Sequence, residues 1–247
     1  MKEIIAIGGG EIGRSGTFIE TLEIDKRIIA STGKVNPRVC FVPTASHDCE
    51  EYIDVFYRYY GRKLGCFVTT LEFYNKEYKY EELYDVIMHT DIVYVGGGNT
   101  AAMLKKWKEN GFYELLRAAY RDLDIILCGL SAGAICWFKY GSSDSLKFDD
   151  TDADYIQIEG FDFINATACP HYDVEPGRIK SLKQFIKENG TIGLGIENCA
   201  AIRFFKDNYE IITSKNNAGV WVTSWKDGVH QQKKLVDSIR GKINQLV

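Results

Sequence analysis

Short apolar runs alternate with longer amphipathic stretches along most of this chain. The first run, EIIAIGGG, stops on three glycines. RVCFVPTAS follows, closed by Pro43, and then come CFVTTLEF, DIVYVGGGNT and DIILCGLSAG. Each has the length and composition of a buried strand. Between them, CEEYIDVFYRYYGRKLG and AAMLKKWKENGFYELLRAAYRD place apolar residues at helical spacing, the second broken by Gly111. After Gly141 the pattern weakens into the polar, acidic SSDSLKFDDTDADYIQIEGFDFIN, with a short strand predicted in YIQIEG. NATACPHYD predicts a strand ending at Pro170. EPGRIKSLKQFIKENG predicts a helix, with Pro at its start and Gly past its end. TIGLGIENCAAIRFFKDNYEIITS predicts two or three closing strands turning at KDN, and the segment from about Gln231 predicts a surface helix.

Strands alternating with helices imply an α/β fold. The expectation is a three-layer sandwich, with a mostly parallel central sheet and helices on both faces. No repeat, low-complexity segment or linker divides the 247 residues, so a single domain over 1–247 is expected. The net charge of -4 is spread along the chain without a basic stripe, which argues against nucleic acid as a partner. No apolar run approaches the roughly 18 residues a membrane helix needs. MKEIIAIGGG turns to glycine too early for a signal-peptide core, so a cytoplasmic protein is expected. Seven cysteines, at 40, 49, 66, 128, 136, 169 and 199, show no C-x-x-C pair. They read as reduced, mostly buried small hydrophobes rather than a zinc site.

The chemistry concentrates where strands end, since functional loops of such sheets collect there. Gly129, Ser131 and Gly133 spell G-x-S-x-G between a strand and a helix-like run. A nucleophile on so sharp a turn needs small neighbours. The amide of Ala132, at a helix start, is a ready half of an oxyanion hole. The plain alternative makes Ser131 only a helix cap. A catalytic serine needs a base, and four histidines are available: His47, His89, His171 and His230. His171 follows a strand and Pro170 and is the preferred base; His47, in TASHD, is the second choice. Glu197 closes the apolar run TIGLGIEN and is the preferred orienting acid. GGGNT supplies Gly98 as a second oxyanion donor, or else a helix start capped by Asn99 or Thr100. Gly8, Gly10 and Gly13 also satisfy G-x-G-x-x-G, with Glu23 or Asp25 near the acidic position of a dinucleotide fingerprint.

FVPTAS, GGGNT, GLSAGA, PH and GIEN, in that order, resemble the aspartyl dipeptidase (peptidase E) family of serine peptidases, relatives of the cyanophycinases. The resemblance implies a class I glutamine amidotransferase-like fold. It also implies a Ser–His–Glu triad of Ser131, His171 and Glu197, with oxyanion amides from Gly98 and Ala132. The order Ser…His…Glu differs from that of α/β-hydrolases. A small peptide, with Asp-X dipeptides as one form, is the implied substrate. Asn99, Arg178 and Asp173 are candidate substrate contacts: Arg178 suits a carboxylate, whereas Asp173 and Glu175 favour an α-amino group. The chemistry needs no cofactor or metal, and the expected assembly is a monomer or homodimer. Two alternatives remain at this level. One is a non-catalytic or regulatory binding protein of the same fold; the less favoured one is a nucleotide-binding oxidoreductase. Cys128, three positions before the serine, is discounted as a thiol nucleophile.

Overall fold

The computed structural model describes residues 2–246. In chain order the strands are β1 (Glu3–Ile7), β2 (Arg38–Val42), β3 (Phe67–Thr70), β4 (Ile92–Val95), β5 (Ile126–Leu130), β6 (Phe138–Ser143) and β7 (Ile156–Glu159). They continue with β8 (Ile164–Cys169), β9 (Gly193–Ile196), β10 (Ala200–Phe205), β11 (Asn208–Thr213), β12 (Gly219–Lys226), β13 (Val229–Val236) and β14 (Arg240–Lys242). The helices are α1 (Leu22–Ser31), α2 (Glu50–Phe56), α3 (Tyr80–Met88), α4 (Thr100–Glu109), α5 (Phe112–Asp122), the single turn α6 (Ala132–Ile135) and α7 (Pro176–Asn189). A π-helical segment, Tyr57–Lys63, prolongs α2. No helix among the described residues is long and apolar enough to cross a membrane.

The strands form an eight-stranded sheet, β14-β11-β10-β1-β5-β4-β2-β3, and a six-stranded sheet, β13-β12-β9-β8-β6-β7. In the larger sheet β1, β5, β4, β2 and β3 are mutually parallel. Their near-continuous apolar sequences follow from burial on both faces. One face packs Ile5, Phe41, Tyr94 and Cys128 against Ile24 and Ile28 of α1 and Phe56 of α2. The other face packs Val42, Val93 and Leu127 against α4 and α5, and against the inner face of the smaller sheet through Ala166, Leu194 and Val220. Helix α7 covers the outer face of that smaller sheet, setting Leu182 and Ile186 on Cys169 and Tyr172. The α/β sandwich and its parallel centre are as expected. The covering layer differs, because a second sheet shares it with helices.

Two local expectations fail. The segment from Gln231 is strand, not helix. Asp227 and Gly228 take φ 51° and 75°, forming the two-residue turn that joins β12 to β13. Because β13 is mostly exposed, its own pattern dictates no period, and pairing with β12 decides it. The run after Ser131 makes only one helical turn before β6, because Cys136, Trp137 and Phe138 are drawn fully into the core.

Candidate active site

Ser131 stands where β5 meets α6, at φ 56° and ψ -110°. This left-handed backbone favours glycine, and its N–H is tied to Ile7 O of β1 at 3.0 Å. The flanking glycines are required by space. A Cβ on Gly129 would lie 2.4 Å from Gly133 O, and one on Gly133 would lie 2.2 Å from Val95 O. The bend presents the Ser131 hydroxyl at the end of β5, within reach of His171.

His171 lies just beyond the end of β8, also at positive φ (53°), with its N–H bonded to Gly8 O at 3.1 Å. Its Nε2 lies 2.9 Å from Ser131 Oγ and its Nδ1 2.7 Å from Asn198 Oδ1. Burial, reinforced by the nearby Arg178 charge, holds the imidazole below its ordinary pKa. The Asn198 hydrogen bond and the Glu175 and Asp144 charges oppose this without reversing it. The ring is therefore neutral at pH 7 and can accept a proton at Nε2.

The structure does not bring Glu197 to His171. Its Oε1 accepts the Trp221 indole N–H at 2.7 Å and its Oε2 pairs with Lys234 Nζ at 2.6 Å. Both partners lie on the β12–β13 hairpin. Neighbouring residues at a strand end point to opposite sides, so the one-residue step from 197 to 198 exchanges the carboxylate for an amide at the ring. Asn198 is held at its backbone: its N–H donates to Asp173 Oδ1 at 2.8 Å, and the next N–H, of Cys199, donates to Gly9 O at 2.9 Å. Gly9 lies directly against the pair. A Cβ there would be 2.1 Å from Asn198 Oδ1 and 2.5 Å from His171 Nδ1. Sequence reasoning missed Gly9 and Asn198; the glycine run after β1 was the available signal for the first.

Position 98 requires glycine on two counts: its φ is +139°, and a Cβ there would lie 2.1 Å from Ala45 O. The Gly98 and Ala132 amides donate no hydrogen bond to any other described residue. Gly98 lines a cleft of about 450 Å³ that opens over Ser131 and His171, with Gly10, Arg14, Tyr52 and Phe148 in its walls. Arg14 is engaged by Glu11 through its Nε at 2.8 Å.

The remaining candidates have other duties. Asn99 caps α4, accepting the Ala102 N–H at 3.0 Å and donating to Ser145 O at 3.2 Å. Arg178 is 1% exposed and bound to Asp144, Glu175 and Ser142 O, so it is not offered to a substrate. Asp173 supports the Asn198 backbone. His47 lines the cleft against the Tyr74 ring, whereas His89 pairs with Asp85 and His230 with Thr223, both away from Ser131. The dinucleotide fingerprint lacks its context. Residues after Gly8 form a loop with an Ile12–Ile19 bridge, and α1 begins only at Leu22. Asp25 is buried on Thr21, Tyr59 and Tyr60. Cys128 is buried, and burial pushes its thiol well above the ordinary range, leaving no thiolate to attack.

An α/β sandwich with a serine on a tight strand-to-helix corner, backed by a neutral histidine, defines a hydrolase-type site. The family model for Peptidase family S51 matches residues 4–212. Over 220 residues the chain is 34% identical to the uncharacterized peptidase YgaJ of Bacillus subtilis (strain 168), covering 88% of this chain and 90% of that protein. Two solved structures share the fold. A peptidase from an acI-B1 Actinobacterium matches with TM-score 0.72 and 16% identity, over 97% of this chain and 96% of that one. A putative peptidase E protein from Listeria monocytogenes EGD-e matches with TM-score 0.60 and 19% identity, over 86% and 98%. The chain belongs to peptidase family S51 and is a serine-type peptidase.

Proposed function

We propose that this protein hydrolyses small peptides by acyl transfer through Ser131 and His171. The observation that carries the reading is the 2.9 Å contact between Ser131 Oγ and His171 Nε2 at the floor of the cleft. Ser131 Oγ attacks the scissile carbonyl carbon as its proton passes to Nε2. The tetrahedral oxyanion is received by the Gly98 and Ala132 amides, which no other described residue occupies. The imidazolium then gives its proton to the leaving amine, the C–N bond breaks and the acyl group remains on Oγ. Water, deprotonated by His171, attacks the ester, and the serine recovers its proton as the acid product leaves.

A cleft of about 450 Å³ suits a ligand of a few residues. Arg178 is buried in its own ion pairs, whereas Arg14, paired with Glu11 but exposed, lines the cleft and offers its guanidinium to a peptide carboxylate. The test is a panel of dipeptides and β-linked isopeptides, including Asp-Leu and Ala-Leu, assayed with wild type and Ser131→Ala. Loss of roughly 10³-fold or more in kcat for the folded variant is expected. Full turnover by Ser131→Ala would remove the proposal.

A further inference from the structure

We infer that Tyr52 is a positioning residue for the oxyanion pocket: its hydroxyl holds the glycine turn after β4 so that the Gly98 N–H faces the reacting carbonyl. The inference deepens the proposed function and rests on it. It begins from the freedom of that turn. Three glycines in a row, Gly96, Gly97 and Gly98, impose little backbone preference of their own, so contacts from outside must set the direction of each amide. The turn runs beside the nucleophile. A Cβ on Gly97 would lie 3.4 Å from Ser131 Cβ and 3.3 Å from Leu130 Cδ2.

The amides of the turn are engaged one after another. Gly96 N–H donates to Val42 O at 3.0 Å, and Asn99 N–H donates to Ala45 O at 2.7 Å. Gly97 N–H donates to the Tyr52 hydroxyl at 3.4 Å. The Gly98 N–H, between the last two, meets no acceptor among the described residues. Backbone carbonyls therefore fix the two ends of the turn, whereas a side chain fixes its middle. The Tyr52 ring is itself braced. It packs edge-on against Phe41, with centroids 5.1 Å apart, and Phe41 stacks on Phe56. Gly96 makes the room for it, since a Cβ there would lie 2.9 Å from Tyr52 Cε1.

Without the hydroxyl, the Gly96–Gly97 step loses its anchor. A rotation of the next peptide would then present the Gly97 carbonyl oxygen, not the Gly98 N–H, to the oxyanion. One oxyanion donor is worth about 10²–10³ in rate, and a donor misdirected part of the time forfeits part of that. The oxyanion exists only as the reaction proceeds, so the loss falls on the chemical step and spares ground-state binding.

The experiment is fluorophosphonate labelling of Ser131, which requires no knowledge of the natural peptide. Rates measured against probe concentration separate the limiting rate, kinact, from the binding constant, KI. Tyr52→Phe keeps the ring on Phe41 and deletes only the hydroxyl. Its kinact should fall about tenfold, with KI and melting temperature unchanged. In hydrogen exchange followed by NMR, the wild-type Gly97 amide should exchange more slowly than that of Gly98, and Tyr52→Phe should abolish the difference.

An unchanged kinact in Tyr52→Phe would overturn the inference. So would a loss confined to KI, which would make Tyr52 a contact for the ligand rather than a support for the turn. If the variant fails to fold, wild-type exchange decides, and a Gly97 amide as fast as that of Gly98 overturns the inference. Ser131→Ala separates the two claims. If it takes no label while Tyr52→Phe labels at the wild-type rate, the inference falls and the peptidase reading stands.

Discussion

At Ser131 and His171 the backbone carries its cost openly. Both residues hold positive φ without being glycine, a conformation that costs of order 1–3 kcal/mol and persists only where the surroundings enforce it. Hydrogen bonds from both amides to the β1 end, at Ile7 O and Gly8 O, supply that enforcement. Gly9, next along, has a sharper role, since its missing side chain is the space in which Asn198 meets the imidazole. Gly9→Ala should fold, because the collision involves only side-chain atoms, those of Asn198 and His171, rather than backbone. It should lower Ser131 labelling by about a hundredfold, a loss the size of general-base catalysis. Retained labelling would show that the ring and the amide can move apart without consequence. Ser131 and His171 were legible in the sequence because G-x-S-x-G and Pro-His are local patterns. Asn198 was not legible. Glu197 and Asn198 are adjacent polar residues past the end of β9, and only the three-dimensional exit of that strand decides which one turns toward the histidine.

The elements explain why the groups converge. The C-terminal ends of the parallel strands β1, β4 and β5 supply the Gly8–Gly9 step, the Gly97–Gly98 turn and Ser131. The ends of β8 and β9, parallel neighbours in the smaller sheet, supply His171 and Asn198. The five parallel strands of the larger sheet were readable because burial on both faces leaves unbroken apolar runs. The hairpin β12–β13 was not. Its polar outer strand has no period of its own, and the Asp227–Gly228 turn that opens it lies just before the segment from Gln231 expected as helix. The same hairpin carries Trp221 and Lys234, which hold Glu197.

For the whole molecule, the two sheets share a core, and the site lies along the seam where their strand ends meet. The most unusual buried charge is remote from it. Asp25 of α1 has no exposed surface and accepts hydrogen bonds from Thr21, Tyr59 and Tyr60 at 2.6, 2.8 and 2.6 Å. Burial pushes its carboxyl up to about 6, with the three hydroxyls pulling the other way. In the unfolded chain the group ionises near ~3.9. Between those values the folded protein keeps a proton that the unfolded chain has released. Stability therefore falls as pH rises from about 4 to 6 and stays lower above that. Asp25→Asn should gain up to about 3 kcal/mol over wild type at pH 7.5, and the gain should vanish below about pH 4. Urea unfolding of both proteins across this range measures it; a difference independent of pH would show that Asp25 does not titrate between the folded and unfolded states.

The claim on which the rest depends is that His171 activates Ser131. The most direct measurement is peptide mapping by mass spectrometry after fluorophosphonate treatment of wild type and of folded His171→Ala. The expected result is a single adduct on Ser131 in wild type and its near-complete loss in the variant. An adduct on Ser131 that forms equally fast without the imidazole, or modification confined to another residue, would contradict the account.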